Sequence, residues 1–235
     1  MCRMIMAQGD FNAVDVVEAA RAMSCGETAR HNGAVRQHSD GWGCVWMDNG
    51  RLYTLRGSGS LTNAIPLINI PTSTRFLAIH VRHSTLKENA GIKFSHPLLF
   101  QSHGTRWYMM HNGYLPNIYI HLGLESSIFD SAEYLKYIVS GLTPDKMCLA
   151  YLDERMKGVA PGGSARNFFL ITEKKFWVWQ WYPMNTPCIE YFTMRLYNDK
   201  NVKYISSEIV PSLAMESQWR SLHNNELLEF CMTED

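Results

Sequence analysis

Cys44-Val45-Trp46-Met47-Asp48-Asn49-Gly50-Arg51-Leu52-Tyr53-Thr54-Leu55 sets two apolar runs on either side of an Asn-Gly pair. Both central residues of a tight hairpin turn need positive φ, which asparagine tolerates and glycine adopts without steric cost. The stretch therefore predicts an antiparallel strand pair. Working outward, Phe76 to Arg82 and Trp107 to His111 read as further, mostly apolar strands. Towards the N-terminus, Asn12 is placed to cap a helix from Ala13 to about Ser24, with Asp15 as a short capping-box partner and Gly26 near the stop.

Asp130 to Ser140 carries Ala132, Leu135, Ile138 and Val139 at helical spacing. Thr143-Pro144-Asp145 has the cap, early proline and acid of a helix start, which predicts a helix through Lys157 stopped by Gly158. Ala160-Pro161-Gly162-Gly163 reads as a loop. The last third reads as strands: Asn167 to Thr172 and Phe176 to Tyr182, joined by Glu173-Lys174-Lys175, then Ile189 to Leu196 and Val202 to Ser206. Trp177, Trp179 and Trp181 alternate with Val178 and Gln180, so they share one strand face. That face reads first as sheet core and second as an oligomer interface. Strands early, helices in the middle and strands late point to an α+β protein of antiparallel sheet with helices packed on it.

The 235 residues contain 46% hydrophobic and 19% charged side chains. Such a chain buries roughly 70–75% of its unfolded surface and is not disordered. No repeat and no Pro/Gly/Ser-rich linker divides it, so residues 1–235 read as one domain. The 22 basic and 22 acidic residues cancel, which argues against nucleic acid, whose phosphates demand clustered positive charge. No apolar run is long enough to span a membrane, and Met1 to Asp10 lacks the apolar core of a signal peptide. Cysteines at 2, 25, 44, 148, 188 and 231 form no Cys-x-x-Cys pair. They are too sparse for a disulfide scaffold and lack metal spacing, so neither a metal nor another cofactor is expected. The expectation is a cytoplasmic protein with reduced thiols.

Cys2 follows the initiator methionine. Removing Met1 would leave a cysteine with a free α-amine, a nucleophile and a base in one residue. Such an amine titrates near roughly 7.7–8.0 and accepts a proton around neutral pH. On position alone, Cys2 reads as merely the second residue of an ordinary protein. Other segments add to it. His38-Ser39-Asp40-Gly41-Trp42-Gly43 places two glycines around a tryptophan, and His80-Val81-Arg82-His83-Ser84-Thr85 ends an apolar strand with an arginine. Ser95-His96-Pro97-Leu98 follows Gly91. His111-Asn112-Gly113 follows the apolar Trp107–Met110, and Asp130-Ser131 opens a helix.

Through these residues the chain resembles the class II glutamine amidotransferases, which are N-terminal-nucleophile hydrolases, and among them the stand-alone members that begin Met-Cys-Arg. Met-Cys-Arg, Asp-Gly-Trp-Gly, His-x-Arg-x-x-Thr, His-Pro and His-Asn-Gly occur in the family's order, over roughly residues 1 to 140. Ser206-Ser207-Glu208 and Trp219-Arg220 look like the family's late strand and its sequel. Two departures stand out. The family's Asp-Ser-Glu is here Asp130-Ser131-Ala132 with Glu133 displaced by one, and Arg3 stands where the large biosynthetic members have glycine.

The resemblance implies a four-layer αββα sandwich of antiparallel sheets. It implies that Cys2 attacks the γ-amide carbon of glutamine or another γ-glutamyl compound. It makes Asn112 and Gly113 the oxyanion donors, whose individual loss typically costs roughly 2.7–4 kcal/mol of barrier. Arg82 would grip the substrate α-carboxylate, Asp130 its α-ammonium, and Thr85 would support the pocket. His80 and His96 are expected to be structural, and Asp40 to Gly43 to provide packing and turn chemistry. Read without the resemblance, Asn112-Gly113 is a hairpin turn, Arg82 a surface ion pair and Asp130 a helix cap. The implied partners are a small γ-glutamyl substrate and either a synthase that receives the ammonia or, in a γ-glutamyl amidohydrolase or peptidase, water that takes the acyl group. A non-catalytic module that binds such a ligand or a partner protein is the alternative.

Overall fold

A computed structural model describes residues 2–65, 68–89, 91–159 and 164–232. In chain order the elements are strand β1 (Cys2–Gly9), helix α1 (Ala13–Cys25), β2 (Gly41–Asp48), β3 (Arg51–Gly57), the short α2 (Leu61–Ala64) and β4 (Phe76–Arg82). Then come β5 (Leu98–Ser102), β6 (Thr105–Gly113), α3 (Asp130–Val139), α4 (Leu149–Met156), β7 (Arg166–Ile171) and β8 (Lys175–Gln180). The short α5 (Ile189–Phe192), β9 (Arg195–Asn198), β10 (Val202–Ser206), β11 (Arg220–Ser221) and β12 (Glu226–Cys231) complete the chain. They form two compact units: the chain up to Pro97 with Pro187–His223, and Leu98–Thr186 with the chain from Asn224 onward.

The first unit is a seven-stranded sheet in the order β11-β9-β10-β1-β4-β2-β3, and its ladders are antiparallel. The β2–β3 hairpin turns at Asn49 (φ 49°) and Gly50 (φ 72°), both left-handed as the Asn-Gly pair requires. Helix α1 starts where Asn12 Oδ1 accepts the Val14 N–H at 3.0 Å and stops at the left-handed Gly26. Its Val16, Val17, Ala20 and Met23 pack in one core cluster with Ile5, Ala7, Leu77 and Ile79. Strand side chains alternate, so Arg3 shares the α1-facing side of Ile5 and Ala7, while Cys2, Met4 and Met6 point the other way. Gly43 has a steric reason: a Cβ there would lie 1.9 Å from the His96 carbonyl oxygen.

The second unit is a five-stranded sheet in the order β12-β8-β7-β6-β5, again antiparallel. Trp177 and Trp179 are buried in it, and their indole N–H groups donate to Glu229 and Asn225. Trp181 is half-buried beneath the Arg166 guanidinium, 3.9 Å from its ring centre. Helix α3 lies against β5 and β6. Ahead of it, the Glu133 carboxylate accepts the Ile128 N–H (2.7 Å), the Phe129 N–H (3.2 Å) and the Ser127 hydroxyl (2.8 Å).

One helical and one strand expectation need correction. The helix expected to run to Lys157 from Thr143-Pro144-Asp145 is broken. Pro144–Lys146 forms one 3₁₀ turn, Met147 and Cys148 are extended, and α4 begins at Leu149. The break lets Met147 turn inward and become buried. The strand expected over Ile189 to Leu196 is a helix to Phe192 and a strand only from Arg195. Thr193 closes that helix, its N–H and hydroxyl both bonding to Ile189 O. The turn buries Tyr191 and Phe192, and this tertiary gain overrides their strand propensity. β5, β11 and β12 are edge strands that no segment read as strand covers, and β9, inside its sheet, overlaps such a segment only at Arg195 and Leu196. The Ala160–Gly163 loop lies outside the described residues. Among the described residues no helix is long and apolar enough to cross a membrane.

Candidate active site

In the first unit, Cys2 is the first residue of β1 and stands opposite Arg82 on β4, which stands opposite Gly41 on β2. Cross-strand partners share a face, so the thiol and the guanidinium belong to one side of the sheet. Both are buried. Arg82 Nη1 donates to Asn89 O at 2.7 Å, and Nη2 donates to Ser84 Oγ at 3.2 Å. Asp40 holds the same corner: its N–H donates to Arg82 O, and its Oδ2 accepts the Ser84 N–H at 2.8 Å. Thr85 follows β4 on an exposed stretch. His80 and His96 are buried, with ring centres 4.2 Å apart.

On the α1-facing side, Arg3 is fully buried against Glu208, which Nε reaches at 2.5 Å. His31 Nε2 lies 2.6 Å from Arg3 Nη2, and the guanidinium carbon sits 3.6 Å from the centre of the Tyr191 ring. Tyr191 OH meets His38 Nε2 at 3.1 Å. Burial, and then the Arg3 charge, hold His38 down to about 2 and also lower His31, so both imidazoles are neutral. A cavity of about 130 Å³ opens beside Thr28, His31, Ser207 and Glu208.

In the second unit, Asn112 and Gly113 end β6, opposite Asn167 and Arg166 on β7. They are strand residues and not a turn, which disposes of the hairpin reading for this Asn-Gly pair. Asn112 is buried, and a Cβ on Gly113 would lie 1.9 Å from Ala165 O. Asp130 is the first residue of α3, and its Oδ2 accepts the Leu115 N–H at 2.9 Å. Burial raises the Asp130 carboxyl, opposed by that N–H. A second link, His111 Nδ1 to Ser131 Oγ at 2.9 Å, flanks the first. The two bonds hold the end of β6 and the start of α3 together, so Asn112, Gly113 and Asp130 share one locality. Glu133 is occupied with the Ser127 hydroxyl and the Ile128 and Phe129 N–H groups.

Among the described residues no cluster of three metal-binding side chains occurs. The Arg3 network had two separate sequence signals, the Met-Cys-Arg triplet and Ser206-Ser207-Glu208. Its partner Glu208 is 205 residues away in sequence, so nothing local announced the pair.

The fold, α+β with two antiparallel sheets, is similar to that of solved glutamine amidotransferases. The glutamine phosphoribosylpyrophosphate amidotransferase of B. subtilis, solved with ADP and GMP, superposes on the whole chain with a TM-score of 0.64 at 18% identity. A structure described as the allosteric regulatory enzyme of purine biosynthesis gives the same figures, and the chain spans 50% of the length of each. A glutamine aminotransferase class-II domain protein from Silicibacter pomeroyi superposes with a TM-score of 0.56 at 12% identity, covering 97% of this chain and 94% of its own. No protein-family model and no curated protein matches the sequence.

Proposed function

We propose that the protein hydrolyses a γ-glutamyl amide through a thioester on Cys2. The observation that carries this reading is the register that sets Cys2, at the head of a central strand, directly opposite the buried Arg82. The freed α-amine takes the thiol proton, directly or through a water. The sulfur attacks the γ-carbonyl carbon, and the carbonyl electrons move onto oxygen. Asn112 Nδ2 and the Gly113 N–H are assigned to that oxyanion. Its collapse expels ammonia or an amine, which leaves with the proton, and water then releases glutamate and restores the thiol. Arg82 is assigned to the substrate α-carboxylate, where a planar fork binds at two points. Asp130 is assigned to the α-ammonium and Thr85 to supporting the pocket.

Either a separate synthase takes the ammonia, or water takes the acyl group and the ammonia is released. A reducing, cytoplasmic setting suits a thiol nucleophile. The second reading, a non-catalytic module that binds a γ-glutamyl ligand, has the same assigned pocket but needs no free amine.

The test combines intact mass, covalent labelling and turnover. The mature protein should lack the Met1 mass and gain one adduct at Cys2 from a diazoketone glutamine analogue. It should turn over glutamine, glutathione or a γ-glutamyl peptide. Cys2→Ala should remove turnover and label while leaving the circular dichroism spectrum unchanged. Full activity in Cys2→Ala overturns the mechanism; ligand binding by an unprocessed, unlabelled wild type selects the binding module.

A further inference from the structure

We propose that Arg3 and Glu208 form a buried positioning pair that fixes the Cys2 residue for attack, with Thr28 holding the Glu208 carboxylate. This rests on the reading of Cys2 as the nucleophile. The argument begins with an imbalance in the ladder of β1. On its β4 side, pairing runs to the very first residue, Cys2 opposite Arg82. On its β10 side, pairing starts only at Ile5 opposite Ser206. Cys2, Arg3 and Met4 therefore overhang the end of β10, and strand ends of this kind fray unless tied down.

The segment that follows β10 supplies the ties. The Ser207 N–H donates to Met4 O at 2.8 Å, and Ser207 Oγ accepts the Met4 N–H at 3.0 Å. Glu208 then takes Arg3 Nε on one oxygen (2.5 Å) and the Thr28 hydroxyl on the other (2.5 Å). Arg3 Nη1 donates to Tyr191 O at 3.1 Å and reaches back to the carbonyl of Cys2 itself at 3.3 Å. The guanidinium thus links the nucleophile's own peptide carbonyl to Glu208 and Tyr191. Among the described residues Glu208 is the only carboxylate within salt-bridge reach of Arg3. His31 and His38 are neutral beside it, so the charge balance rests on that one acid.

Burial of an ion pair adds little net stability over apolar residues of the same volume, but it does impose one geometry. Arg3 points to the opposite face from Cys2 and contributes no group to the substrate. Its effect on the reaction is therefore through the orientation of Cys2, and it should appear in kcat and not in KM.

The experiment measures kcat, KM and the rate of Cys2 labelling by the diazoketone in the full-length protein. Variants are Glu208→Gln, Arg3→Lys, Arg3→Met and Thr28→Val, each assayed well below its melting temperature. Misplacing a reacting group by about an ångström costs roughly 100-fold. Glu208→Gln should lower kcat and the labelling rate together, by roughly 10- to 100-fold, with KM unchanged. Arg3→Lys should retain more of both rates than Arg3→Met. Thr28→Val, which removes only the outer hydroxyl, gives a smaller loss in the same sense and serves if Glu208→Gln does not fold. Folded variants that react and label at the wild-type rate, or that change KM alone, overturn the pair's role while leaving Cys2 as nucleophile. A wild-type protein that takes up no label overturns both.

Discussion

Cys2 and Arg82 stand directly opposite each other across β1 and β4, and Gly41 continues the row on β2. A thiol, a guanidinium and a residue with no side chain thus occupy one face of three adjacent strands. The close packing is specific at Gly41, where a Cβ would lie 2.5 Å from Ser95 Oγ. A small anionic ligand held by the guanidinium would bring its neighbouring atoms towards the sulfur.

Arg82→Lys tests that geometry. Lysine keeps the charge but offers a point in place of a fork. One lost charge-assisted hydrogen bond is worth roughly 1.5–3 kcal/mol, so KM for the γ-glutamyl substrate should rise roughly 10- to 150-fold with a smaller change in kcat. Because Arg82 also holds Asn89 O and Ser84 Oγ, a thermal melt belongs beside the kinetics. An unchanged KM removes Arg82 from substrate recognition.

Asn112→Ala separates chemistry from packing. An oxyanion donor lost from a hydrolase of this type lowers kcat by roughly 100- to 1,000-fold. Asn112 is buried, so some loss of melting temperature accompanies it in any case. Steady-state kinetics decide: a fall in melting temperature with kcat intact assigns the residue to structure alone.

Asp130→Asn should divide stability from recognition. Burial raises the Asp130 carboxyl above its unfolded value, against the opposing Leu115 N–H. An acid raised on folding holds its proton to higher pH in the native state, so its contribution to stability is lost as pH climbs through the native pKa. The asparagine variant carries no such charge and can still accept the Leu115 N–H through its oxygen. It should melt no lower than wild type near pH 7, and its advantage should shrink as pH falls. Its KM should rise, because no anion remains for an α-ammonium; wild-type KM should likewise rise as pH falls towards the native pKa. Melting curves and KM against pH check both halves.

Much of the first unit was legible because its signals are local. Asn49-Gly50 dictates its own turn, Asn12 and Gly26 bracket α1, and β4 is a mostly apolar stretch buried from Phe76 to Arg82. Asn112-Gly113 shows the limit of such reading. The same dipeptide that turns the chain at 49–50 lies inside a strand at 112–113, because β7 pairs with both residues. Ile189–Phe192 misled for a related reason: its residues favour strands, but the turn that buries Tyr191 beside Arg3 is set by distant partners. β12 was missed because Glu226 to Cys231 shows no clean alternation, and as an edge strand it is only half-buried. The candidate residues themselves were named from motif order, whereas the Arg3–Glu208 pair joins opposite ends of the chain and has no local pattern.

β1, which begins at Cys2, lies in the middle of its sheet between β10 and β4, whereas β12 runs along an outer edge. Under the proposed chemistry, a purification tag fused ahead of the cysteine would lock its nitrogen into an amide, and the cloning scheme would itself create an inert preparation. The same tag fused after Asp235 leaves that nitrogen untouched.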